Sequence, residues 1–174
     1  MNYNPSTMAR IADIYRGLQV DTAVFNTATY WNKDGATTGQ FELFNVYGRI
    51  KWIHLFIEMI TDSGGGAALL AFNYTFTTPA ITVKPLSAAS GSTASLVRGS
   101  RVVCLGGAVA TATGITVATG GASDLAVTPG ILGGVSFIGT IGMVTTSANN
   151  TSGTAQASIF YVPMSDGSYV TSVI

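Results

Sequence analysis

From Thr61 onward the chain is cut into short runs of Val, Thr, Ile and Ala by Gly64-Gly65-Gly66, Pro79, Pro85, Gly106-Gly107, Gly114, Gly120-Gly121 and Pro129-Gly130. β-branched side chains lose freedom in a helix and pack well on a pleated surface. No window carries a capped amphipathic helix. Many short strands at near-regular spacing, punctuated by glycine turns, predict an all-β fold: an antiparallel β-sandwich, jelly-roll-like, with a barrel as the alternative closure.

Residues 1–10 are polar and contain Pro5, which predicts an extended N-terminal arm. Residues 11–174 show no linker and no fixed-period repeat, so they are read as a single β-sandwich domain. Segment 11–25 alternates loosely, as one or two strands, and 32–40 (NKDGATTGQ) is a loop rich in turn formers. Segments 41–47 and 49–61 read as long strands joined at Gly48. The second also fits a helical stripe through Ile50, Ile53, Ile57 and Ile60; its density of Ile, Phe and Trp favours a strand. A hairpin-type turn at 62–66 leads into 67–77, 81–83 resumes the strand broken at Pro79, and 87–93 is a further turn. Segments 135–145 and 155–163 read as a closing antiparallel pair across the polar loop 146–153.

Charge narrows the function classes. Only 9% of residues are Asp, Glu, Lys or Arg and the formal net charge is zero, against roughly 25% charged in an average soluble protein. Fourteen of the sixteen charges lie in residues 1–101; after Arg101 only Asp124 and Asp166 remain. An uncharged surface of that kind is what symmetric oligomers bury, so residues 102–174 are the expected source of a homo-oligomer contact. No basic cluster exists to neutralise phosphates, which speaks against nucleic acid and against an anionic membrane surface.

The mean hydropathy of +0.42 raises the question of a membrane span. The most apolar window, 131–146, is interrupted by four glycines and falls short of the ~20 apolar residues a helix needs to cross. The first ten residues, MNYNPSTMAR, hold no apolar signal-peptide core.

Chemistry-bearing residues are few. His54 is the sole histidine and stands four residues before Glu58. On a helix the two would face one way, as metal ligands do; on a strand they share a face about 13 Å apart, too far for one ion. There is no GxSxG elbow around a nucleophile. Gly64-Gly65-Gly66 lacks the Lys-Ser/Thr and the helix of a phosphate cradle. Asp13 and Asp21 stand without an acidic or aromatic cleft. Cys104, alone in the chain, excludes an internal disulfide and sits in an apolar run as a small buried hydrophobe. Three Asn-x-Ser/Thr triplets, starting at Asn73, Asn149 and Asn150, match the glycosylation pattern without a secretion signal beside them. No catalytic, cofactor-binding or metal-binding residue is therefore assigned. Tyr30 and Trp31, ahead of Asn32-Lys33-Asp34, are read either as an exposed contact anchor or as a cap on the core.

Two segments resemble a known group. The first is LFNVYGRIKWIHLFIEMIT (43–61); the second is the carboxyl end, IFYVPMSDGSYV (159–170). They resemble tailed-bacteriophage virion proteins in which an LF-x-V-x-GR strand opens the domain and a Y-x-P-[LM]-x-D-G-x-x-V segment closes it. Neither motif is catalytic. The resemblance implies a capsid decoration (cement) protein: a non-enzymatic β-sandwich on the capsid surface, sitting as homotrimers on the major capsid protein. The alternative is a tail or head-fibre module that recognises a host glycan or receptor, for which Tyr30-Trp31-Asn32-Lys33-Asp34 would supply aromatic and polar groups.

Overall fold

The segment with two readings is a strand. In the computed structural model, which describes residues 17–31, 38–65, 69–76, 82–86, 93–104, 115–118, 139–146 and 150–174, strand β4 runs over Ile50–Gly65. Leu55, Ile57 and Met59 on it are fully buried, while His54, Glu58 and Ile60 are only partly covered. That two-residue period is the mark of a strand with one face in the core.

The other elements follow in chain order: β1 (Leu18–Asp21), β2 (Phe25–Asn26), α1 (Thr27–Tyr30), β3 (Thr38–Tyr47), then after β4 β5 (Leu69–Phe76), β6 (Thr82–Pro85), β7 (Arg101–Cys104), β8 (Ile115–Ala118), β9 (Gly139–Thr146), β10 (Asn150–Pro163) and β11 (Tyr169–Ser172). One sheet has the order β1-β10-β4-β7-β8, with β2 also on β10; the other has the order β11-β3-β9-β5-β6. Every pairing is antiparallel. The fold is the expected all-β antiparallel sandwich. Its single described helix, α1, is one turn long, and the Asn26 side chain caps it by accepting from the Ala28 N–H at 2.8 Å. The arm expected at residues 1–10 lies outside the described residues.

Two expected hairpins are corrected. Strands β4 and β5 do not pair across 62–66: the chain stays extended to Gly65 and β5 joins the opposite sheet. Likewise β9 and β10 lie in different sheets. The cause is that each strand of these pairs carries a full apolar face: Leu55, Ile57 and Met59 on β4, Leu70, Phe72 and Tyr74 on β5, Ile141 and Met143 on β9, Ala155, Ala157 and Ile159 on β10. Setting such faces against each other across a core buries both, which side-by-side pairing does not.

At the centre of the first sheet, β4 and β10 match large to small: Met59 lies opposite Ala155 and Ile57 opposite Ala157. These alanines leave room for Phe72, Tyr74 and Met143 from the facing sheet, all in the same buried cluster. Tyr161 of β10 reaches between the layers, its hydroxyl accepting from the Val170 N–H of β11 at 3.2 Å. The β3–β4 joint turns on Gly48, whose φ of +73° suits glycine, and the next N–H, of Arg49, donates to Ser168 Oγ at 2.9 Å.

Two strands of the charge-poor half are interior to the sheets: β10 sits beside β4 in one, and β9 lies between β3 and β5 in the other.

Candidate functional site

The outward-facing residues of β4 place the only histidine in an aromatic patch. His54, Phe56 and Glu58 alternate away from the core, with Phe160 of β10 opposite His54, and Val103 and Arg101 of β7 opposite Phe56 and Glu58. The His54 ring lies 4.9 Å from Phe56 and 6.2 Å from Phe160, and the two phenylalanines stack at 6.3 Å. Arg101 Nε donates to Glu58 Oε2 at 2.7 Å, and its guanidinium carbon sits 5.0 Å over the Phe56 ring. Both side chains of the ion pair are about one third exposed, so water screens it and its contribution is ~0.2–1 kcal/mol.

This geometry answers the His54–Glu58 question. The Glu58 carboxylate is turned to Arg101, and the histidine is packed among aromatic rings. Among the described residues no group of three His, Cys, Asp or Glu comes together to hold a metal ion. Cys104 is buried at the inner end of β7, its Sγ 3.9 Å from the Leu86 carbonyl oxygen, and burial pushes its pKa up to about 12. It is held as a neutral thiol, a poor nucleophile at neutral pH.

Tyr30 and Trp31 belong to the core. Trp31 is fully buried; its N–H donates to the Thr27 carbonyl at 2.8 Å and its carbonyl accepts from Thr145 Oγ1 at 2.9 Å. The Tyr30 ring packs edge-on against Phe25 and Phe41. The anchor reading fails for Trp31 because the one-turn helix rolls its indole inward, and Asn32, Lys33 and Asp34 lie outside the described residues. Asp13 does as well. Asp21 is exposed at the end of β1, bonded to the Gln19 amide at 2.9 Å and 3.0 Å. Gly64 lies within β4 beside Ser152, not in a phosphate cradle. Asn73 and Asn150 are buried, which closes their two triplets to glycosylation of the folded protein.

The exposed apolar groups gather elsewhere. Of six large hydrophobic side chains that are exposed among the described residues, Leu18, Val24, Tyr169 and Val173 lie on or near β1 and β11, whereas Met164, its N–H donating to the Arg49 carbonyl, follows β10, and Val97 lies apart. Strand β1 ends one sheet and β11 ends the other, and the Ala23 N–H donates to the Ile174 carbonyl at 3.1 Å, joining the two edges into one flank. Tyr169 stacks on Tyr47 with ring centroids 4.5 Å apart and planes 17° from parallel. Sequence reasoning missed this surface because its residues come from both ends of the chain and none forms a motif.

No helix among the described residues is long and apolar enough to cross a membrane. No family model, curated protein or solved structure matches the chain.

Proposed function

We propose that this protein is a non-enzymatic virion structural protein, a capsid decoration protein that binds the outer shell as an oligomer and stabilises it. The observation that carries the reading is the strand order. Numbering β1, β3, β4, β5, β6, β7, β9 and β10 as strands one to eight, the pairs are 1–8, 2–7, 3–6 and 4–5. Pairs in that order are what one long hairpin rolled into two sheets would make, and they support a jelly-roll reading, with β8 and β11 added at opposite edges of the described sheets. Jelly rolls recur in capsid and lectin domains. Fold alone does not assign function; the low charge, the apolar flank and the resemblance of 43–61 and 159–170 to virion proteins weigh with it. Among the described residues, His54 packs with Phe56 and Phe160, and Glu58 is paired with Arg101.

The test is to image particles with and without this protein and to heat both. Hundreds of copies on the shell, and particles that burst at lower temperature without them, are the expected result. A few copies at the tail or one vertex would overturn it.

The second reading, a glycan-recognition module, is favoured by one observation: the Tyr47–Tyr169 stack, with Tyr169 exposed and the exposed Asp166 three residues before it in the chain. Host-surface oligosaccharide added to the labelled protein would then move the Tyr47 and Tyr169 ring signals, and Tyr169→Ala would abolish the shift.

A further inference from the structure

We propose that Asp166 is a modification site: in the folded protein its side chain closes spontaneously onto the Gly167 nitrogen, and the ring reopens to isoaspartate. This chemistry is independent of the shell reading.

An aspartate isomerises when the main-chain nitrogen of the next residue reaches its side-chain carbon. That needs a carboxyl and an N–H that nothing holds, and a small residue following. Three aspartates lie among the described residues, and they divide into two kinds. Asp21 accepts from the Gln19 amide, and the next N–H, of Thr22, donates to the Ala157 carbonyl at 2.9 Å. Asp62 accepts from the Arg98 N–H at 2.7 Å, and the Ser63 N–H donates to the Leu96 carbonyl at 2.7 Å. Asp166 is exposed, and among the described residues neither its carboxyl nor the Gly167 N–H has a hydrogen-bond partner.

The fold frees this tip while fixing what lies on either side. Met164 N–H donates to the Arg49 carbonyl at 2.8 Å, and Arg49 N–H donates to Ser168 Oγ at 2.9 Å, so one residue of the β3–β4 joint holds both ends of the segment. Between them Ser165–Ser168 is a β-turn, closed by Ser168 N–H on the Ser165 carbonyl at 3.2 Å, with Gly167 third in it at a φ of +75°. No heavy atom lies within 4 Å of where a Cβ would stand on Gly167. The peptide between Asp166 and Gly167 can therefore rotate toward the carboxyl without giving up a hydrogen bond of its own, with open space beside the glycine.

In the first step the Gly167 nitrogen bonds to Asp166 Cγ and loses its proton, and a carboxyl oxygen leaves as water. In the second, water adds to one of the two ring carbonyls. Opening at the Asp166 main-chain carbonyl leaves the chain running through Cγ; opening at Cγ returns aspartate. The change is neutral in mass. It lengthens the main chain by one carbon between the two Arg49 anchors, just ahead of Tyr169, so the stack of Tyr169 on Tyr47 loosens as isoaspartate accumulates.

The experiment holds the full chain at physiological temperature and neutral pH for several weeks, folded and in urea, and maps isoaspartate on chymotryptic peptides by electron-driven fragmentation. Folded protein should carry at least about tenfold more at Asp166 than at Asp21 or Asp62, the factor a hydrogen bond to a charged group is worth. The gap should narrow in urea, where those bonds are gone. Asp166→Asn should reach the same ring by losing ammonia and form isoaspartate faster. The Tyr47 and Tyr169 ring signals should shift in step with the modification. Equal levels at the three aspartates, a gap as wide in urea, or an Asp166→Asn chain that keeps its amide would overturn the site; ring signals that stay put would overturn its effect on β11.

Discussion

Trp31 and Cys104 show what burial does to single side chains. Trp31 is enclosed, with Thr145 Oγ1 on its carbonyl, so Trp31→Ala should cost ~3–5 kcal/mol of stability. Denaturant titration checks this; a change confined to assembly, with the unfolding midpoint unmoved, would restore the contact-anchor reading. Burial raises Cys104 from 9.0 and Tyr74 from 10.0 to about 12. The fold holds both protons more tightly than the unfolded chain does. What these two groups contribute to stability is therefore flat below pH about 9 and falls as pH rises toward 12, because there the unfolded chain has released protons the native state retains. Thermal melts between pH 8 and 11 should show that decline, and a thiol reagent at pH 8 should modify Cys104 only after unfolding.

Strand β9 shows how one element divides substitutions by parity. Ile141 and Met143 face the core, and Val144 faces outward and is only partly covered. Met143→Lys places an unpaired ammonium in the apolar layer and should unfold the domain. Val144→Lys should fold, with a stability change within about 1 kcal/mol. Circular dichroism and denaturation of the two variants separate these outcomes; equal tolerance would mean the register of β9 is shifted by one. Composition, not parity, made β4 legible in advance: its density of Ile, Phe and Trp outweighed the helical spacing of its isoleucines. The β4–β5 and β9–β10 connections were not legible. A glycine-rich break says that the chain turns, not whether the next strand pairs beside the last or crosses to the facing layer.

At the scale of the whole molecule, stability should be graded from centre to edge. Strands β4 and β10 pair along most of their length in the middle of one sheet, whereas among the described residues β1 and β11 each have one neighbour in their sheets. Hydrogen exchange should be slowest on the amides of Leu55–Met59 and Ala155–Ile159 and fast on the outer amides of β11 in dilute protein. Protection of β11 equal to that of β4 at every dilution would show that the edge is closed within one chain.

The sequence by itself determined the fold class, because the residue types that make strands and turns act locally: runs of β-branched and aromatic residues between glycine and proline breaks need no partner to be read. It also determined that His54 and Glu58 on one strand are poorly placed to share an ion, since residue rise fixes their spacing. Only the tertiary structure decided which strand lies beside which, because that depends on apolar faces far apart in the chain meeting across a core. It turned Trp31 inward, gave Glu58 to Arg101, and set β9 and β10 of the charge-poor half inside the two sheets. It also brought Leu18 and Val24 from one end of the chain near Tyr169 and Val173 from the other, a juxtaposition that no local pattern encodes.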